Sequence, residues 1–256
     1  MIASRHTTND TRRTGGPADG HGGSAAVVLA RAEAPVLVAV PISMIALAAA
    51  GVQATAALTM LIALLALALL LSSFEASRPA LRQLMPTAVL SAVAAAGRVL
   101  FAPIPDVKPV SAIAIIAGAT LGRRSGFVVG SLAAFLSNFF FGQGTWTPWQ
   151  MYAWGLVGYV GGVLADHGLL ERRAVLYGWG FASGLVYGAL LNGYYVLGYV
   201  QPLTWPAVLA AVAAGLPLDL VHGGATVAFL AAIWEPWGRS IRRVVAKYDL
   251  SLDRKL

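Results

Sequence analysis

Eight apolar segments follow one another along this chain, at about 35–51, 56–72, 85–101, 109–121, 126–141, 149–165, 174–199 and 206–233. An α-helix rises 1.5 Å per residue, so about 20 apolar residues cross the roughly 30 Å hydrocarbon core of a bilayer. Several of the segments approach or exceed that length. Inside lipid every backbone polar group must be satisfied within the fold, and long unbroken apolar runs do this as helices. The expected fold class is therefore all-α, a polytopic membrane protein. With 58% hydrophobic residues, 11% charged residues and a mean hydropathy of +0.72, the composition excludes a soluble globular domain.

A net charge of +7 would suggest nucleic acid in a soluble protein. Here the distribution of charge gives an orientation instead, and no nucleic-acid partner is expected. With the N-terminus inside and eight crossings, the inner side holds Arg5, Arg12, Arg13, Arg31, Arg78, Arg82, Arg123, Arg124, Arg172, Arg173 and the cluster from Arg239 to Lys255. The outer side holds Lys108 alone, and Arg98 lies within a span. Positive charge concentrates on cytoplasmic loops, and a shift of one crossing would destroy this pattern. Both termini are thus placed in the cytoplasm, in a multi-pass protein of the cell membrane. Residues 1–34, Gly-rich and without an apolar run, read as a disordered cytoplasmic tail, and 236–256 as a basic cytoplasmic tail. The charged region is too long for a signal peptide. The segment 109–121 is short for a crossing, so part of 102–108, with Pro103 and Pro105, is expected to dip into the protein.

This orientation brings the loops 102–108, 142–148 and 200–205 to the outer face. The middle one is the most distinctive. Asn138 and three phenylalanines precede it, the loop contributes Gln143 and Trp146, and Trp149, Gln150 and Tyr152 follow. Rings with amides between them suit a flat, partly polar small molecule. The plainer alternative is an aromatic belt that anchors helix ends among headgroups. Two four-residue stripes also end near this face: Gly126, Gly130, Ala134, Asn138 and Gly180, Gly184, Gly188, Asn192, with Tyr195 beyond the second. Their small residues read as helix-packing surfaces. An amide in lipid is costly unless it faces protein or ligand, so the terminal asparagines are candidate ligand contacts.

Three ionisable groups join the candidate ligand set. Arg98 can snorkel, pair with Asp106 or meet a ligand. Asp219 and His222 lie three apart on one face of the last segment, as ligand contacts, structural partners or a proton relay. Two residues do not make a metal site, and no third ligand stands at useful spacing, so no metal is expected. The absence of cysteine excludes thiolate ligands, disulfides and cysteine nucleophiles. No G-x-x-x-x-G-K-[ST], G-x-S-x-G or H-E-x-x-H occurs. No catalytic residue, cofactor or ATPase function is assigned, and the chain does not read as an enzyme.

The run from Pro86 to Ala165 resembles the substrate-binding (S) components of energy-coupling factor (ECF) vitamin transporters. The residues that carry the likeness are the Ala88, Ala92, Ala96 stripe, the stretch Arg98 to Val110 with its proline-rich loop, Gly118 to Gly130, Asn138, and the loop Gly144 to Met151. With Asp219 and His222 the similarity covers roughly the last two-thirds of the chain, as a six-helix substrate-binding core at 83–235. The pair of helices at 35–73 is extra to that core. The resemblance implies capture of a vitamin at the outer face, followed by toppling in the membrane to release it inside. It also implies docking through Ala88, Ala92 and Ala96 on a transmembrane scaffold subunit driven by two cytoplasmic ATPases. Among the family's substrates it points first to corrinoids (cobalamin), then to riboflavin or a thiamine or queuosine precursor. The main alternative is an ion-gradient-driven secondary transporter working through Asp219 and His222. A non-transporting membrane scaffold and an intramembrane enzyme stand behind it.

Overall fold

A computed structural model describes residues 20–52, 54–77, 79 and 81–248. Among them there is no strand. Eight helices follow in chain order: α1 Gly20–Ala49, α2 Thr55–Ala76, α3 Leu81–Leu100, α4 Val110–Leu121, α5 Arg123–Phe141, α6 Trp146–Asp166, α7 Arg173–Tyr199 and α8 Trp205–Tyr248. A single 3₁₀ turn, Leu169–Glu171, precedes α7. Six of the helices are long and apolar enough to span a bilayer, namely α1, α2, α3, α5, α7 and α8. With α6 at 21 residues and α4 at 12, the eight apolar segments each become one helix.

The shortest helix lies deepest. Residues Val110 to Ala117 of α4 are at most 2% exposed, and the helix touches α3, α5, α6, α7 and α8. A helix apolar on every side belongs in a core. At 12 residues it is about 18 Å long, too short to cross hydrocarbon alone, but protein rather than lipid surrounds it. The expected dip of the preceding loop is confined to its second half. Residues 102–105 are exposed, 106–108 are half-buried and Pro109 is buried. Pro109 packs so closely on Gly97 that a Cβ there would lie 2.5 Å from its ring.

Both small-residue stripes pack helix on helix. A Cβ on Gly130 would stand 2.2 Å from the Trp154 carbonyl oxygen, and one on Gly126 2.5 Å from that of Gly158, so α5 and α6 meet backbone to backbone. The second stripe does the same against α8, where Gly184 would meet the Gly223 nitrogen at 2.3 Å. Small residues remove the side-chain layer between helices and let dispersion contacts form along the whole line.

Two boundaries differ from the sequence-based expectation. Helix α1 begins at Gly20, so the second part of the expected disordered tail is helical; residues 1–19 lie outside the described residues. Helix α8 runs on to Tyr248, through the first part of the expected basic tail; residues 249–256 lie outside. The cause at the C-terminal end is periodicity. Ile233, Trp237 and Ile241, four apart, pack on the core, while Arg242 and Arg243 stay exposed.

Within the helical part of the expected N-terminal tail stands Glu33. This residue is fully buried. Its carboxylate meets Nε of Arg124 at 2.5 Å and Nε of Arg123 at 3.5 Å. It also accepts hydrogen bonds from the Tyr159 hydroxyl at 3.0 Å and from the Ser73 hydroxyl. One carboxylate thus ties α1 and α2 to the start of α5 and to α6. Farther along α1, the Tyr152 hydroxyl of α6 donates to the Leu37 carbonyl. A residue expected to touch ligand therefore fastens the extra helix pair.

Removing one partner of a buried ion pair costs about 3–5 kcal/mol, because the other charge stays buried. Glu33→Ala should accordingly lower the Tm of the purified protein well below that of Ser73→Ala, which removes only one hydroxyl. Equal Tm values for Glu33→Ala and wild type would mean that the helix pair is held elsewhere.

Candidate functional site: a guanidinium nest at the outer end of the core

Arg98 stands in the last turn of α3, where a long cationic side chain ordinarily reaches for water. Here it turns inward and is 6% exposed. Its Nη1 donates to Ser137 Oγ and Asn138 Oδ1, both at 2.7 Å, and Nη2 reaches Gln150 Oε1 at 3.5 Å. The rings of Phe141 and Trp154 lie 4.7 and 4.8 Å from the guanidinium carbon. Cation–π contacts of this kind are worth about 2 kcal/mol when desolvated. Among the described residues no carboxylate pairs with Arg98. Asp106 instead bonds Lys108 at 3.1 Å. The charge is balanced only by amide and hydroxyl dipoles and ring faces, and its Nε has no partner among the described residues.

The partners come from the turn between α5 and α6. Gly142, at φ +93, ends α5 in a conformation that a side chain would strain. Pro148 sits in the first turn of α6, where its missing N–H costs nothing. The two helix ends are then laced together. Asn138 Nδ2 donates to Thr147 Oγ1 at 3.0 Å and to Gln150 Oε1 at 2.8 Å. Thr147 donates to Gln143 Oε1 at 2.9 Å, and Gln143 Nε2 to the Phe135 carbonyl at 3.0 Å. Such a network holds Arg98 and its acceptors in one geometry.

Below the nest the rings continue inward. Trp154 stacks on Tyr187 with centroids 4.5 Å apart, and Tyr187 lies 4.9 Å from His222. His222, 1% exposed, shares a 2.9 Å hydrogen bond with Ser111 of α4. Asp219 accepts from Asn192 Nδ2 at 3.1 Å. Its carboxyl group occupies the space left by Gly188, where a Cβ would fall 2.0 Å from the carboxyl carbon. Asp219 and His222 thus take separate partners.

A second feature lies on the other side of α6. A cleft of about 310 Å³ separates the outer end of α2 from the outer ends of α6 and α7, with Trp149, Tyr194 and Tyr199 among its walls.

The structure joins Arg98, Asn138, Gln143 and Gln150 in one network; His222 connects to it through the rings of Tyr187 and Trp154, and Asn192 and Asp219 form a separate pair. Trp149 is buried against Tyr194 and faces the cleft. Trp146 is 39% exposed, and Tyr195 is 53% exposed and stacks on Tyr199. Asp106 and Tyr152 bond elsewhere, as described. The expected ligand set did not name Ser111, Ser137, Phe141, Thr147, Trp154 or Tyr187, although Phe141, Thr147 and Trp154 belong to the aromatic loop and its flanks that the sequence singles out as a unit. Trp154 also lies four residues after Gln150 and so on the same helix face. On the opposite side of α3 from Arg98, Ala88, Ala92 and Ala96 are all exposed beside Val89 and Val93.

Comparison with known proteins adds one match. The family model described as the ECF transporter, substrate-specific component, aligns with residues 82–234. No curated protein and no solved structure matches the chain. The alignment covers more than half of the sequence and contains the whole guanidinium nest. The chain therefore belongs to the family of substrate-specific components of ECF transporters, multi-pass proteins of the plasma membrane.

Proposed function

We propose that this chain captures a ring-containing vitamin or vitamin precursor at the outer face, and that Arg98 is the centre of recognition. The observation that supports this is a buried cation that, among the described residues, has no carboxylate partner and an unpartnered Nε. A ligand carbonyl or single carboxylate would complete the hydrogen bonding, and the exposed Phe141 ring beside Arg98 would lie against a flat ring system. Gln143, Asn138 and Gln150 hold the donors in place, while Asn192, Asp219 and His222 shape the floor. Cobalamin heads the substrate panel on the family resemblance. The compactness of the nest favours the smaller ring compounds beside it, riboflavin and the thiamine or queuosine precursors.

Transport then requires partners. The exposed Ala88, Ala92 and Ala96 offer a smooth helix face on which a transmembrane scaffold subunit can dock. Two cytoplasmic ATPases acting through that scaffold would topple the core and release substrate inside.

Two measurements separate these roles. Arg98→Gln and Asn138→Ala should each weaken substrate binding to purified protein that still folds, by about tenfold or more for the loss of a charged hydrogen bond. Unchanged affinity in both would remove the nest from the site. Ala92→Trp should leave binding intact and abolish uptake in cells carrying the scaffold and ATPases. Uptake at the normal rate would show that docking uses another face, and uptake abolished by an uncoupler with ATP maintained would favour a gradient-driven carrier.

A further inference from the structure

The inner end of α8 carries a charged face that the nest does not use. The helix runs for 44 residues, about 66 Å, or roughly twice the thickness of the hydrocarbon layer, so its last turns lie beyond that layer. These turns divide between two faces. Ile233, Trp237 and Ile241 pack on the core. Arg239, Arg242 and Arg243 fall on the opposite face with Glu235, and all three arginines are exposed.

A tie to α7 sets the depth of this face. Glu235 meets Nη2 of Arg173, the first residue of α7, at 2.6 Å, which puts it near the inner edge of the apolar layer. Arg239 and Arg243 lie about 6 and 12 Å farther along the axis. Headgroups add about 5–8 Å to each side of the hydrocarbon. The side chains also turn back toward that layer, because a helical side chain leans toward its helix N-terminus. Arg239 Nε donates to the Glu235 carbonyl at 3.2 Å. The Arg242 guanidinium lies back over the buried Gly238, where a Cβ would meet both terminal nitrogens at 3.2 Å. Among the described residues no carboxylate pairs with Arg239, Arg242 or Arg243, and Glu235 is taken by Arg173.

We infer that this face binds anionic phospholipid of the inner leaflet. The guanidinia hold the headgroup phosphate, for which their forked donors are suited. On the same side of α8, farther into the membrane, Gly224, Ala228 and Ala232 are exposed and leave a shallow strip for an acyl chain. A second copy of this chain fits poorly. Copies share one orientation in the membrane, so a symmetric contact would set these arginines against each other.

The test reconstitutes the full chain in phosphatidylcholine vesicles that carry a small fraction of spin-labelled phosphatidylglycerol or spin-labelled phosphatidylcholine. The readout is the share of label immobilised on the protein. One arginine near an anionic headgroup is worth about fivefold in association, so wild type should prefer phosphatidylglycerol by about fivefold or more. The triple variant Arg239→Gln, Arg242→Gln, Arg243→Gln should cut that preference to below about twofold. Because the three side chains are exposed, it should keep the wild-type Tm. Arg31→Gln, which removes an exposed cation of α1, should leave most of the preference. Soluble glycerophosphoglycerol, a headgroup without acyl chains, should not displace the label. Displacement at equal concentration would make this a site for free phosphate and overturn the lipid assignment. An undiminished preference in the triple variant, or equal immobilisation of the two lipids by wild type, would overturn the inference and leave these arginines to a protein partner.

Discussion

A guanidinium withdrawn from the membrane surface organises the outer half of this protein. Arg98 could reach water by extending along α3, yet it is folded inward onto amides, hydroxyls and ring faces. Burying a charge without a counter-charge is expensive, and it is tolerated where dipoles surround it. Almost every local feature of the α5–α6 turn serves that end. Gly142 stops α5 where Ser137 and Asn138 point at Arg98, and Pro148 and Gln150 start α6 at the matching height. The glycine lines between α5 and α6 hold the two helices close enough for the network to close.

The inner half depends on the reverse arrangement, a single carboxylate among cations. Glu33 gathers Arg123, Arg124, Tyr159 and Ser73 from three helices. Through it the extra pair becomes part of the body of the protein. The pair also lends α2 to the wall of the outer cleft.

Much of the fold was legible because lipid imposes a simple grammar. Each crossing needs an apolar run, each apolar run is a helix, and the positions of arginine orient them. The small-residue stripes were legible for the same reason, since spacing of four names one helix face. What escaped was long-range polar pairing. Glu33 precedes its apolar segment and read as part of a hydrophilic tail, while its partners Arg123 and Arg124 counted only as inner-side charge. Their meeting, some 90 residues apart in sequence, is written in no local pattern. The candidate site was legible as a region and less so as a set of contacts. Trp149 and Gln150 are neighbours in sequence, but successive residues on a helix diverge by about 100°, so one faces the cleft and the other Arg98. Tyr152 turns farther still, to α1. Arg98 had three open fates in the sequence, and the packed structure turns it inward, with Asp106 bonded to Lys108 instead.

The most direct measurement is titration of the purified, folded chain with a panel of vitamins and precursors, cobalamin and riboflavin included, followed by intrinsic tryptophan fluorescence. Trp154 touches the Arg98 guanidinium and Trp146 stands at the outer mouth, so a ring seated in the nest should perturb their emission. The account predicts saturable, high-affinity quenching by one compound of the panel in the absence of any partner subunit. Silence across the whole panel from protein shown to be folded would contradict it.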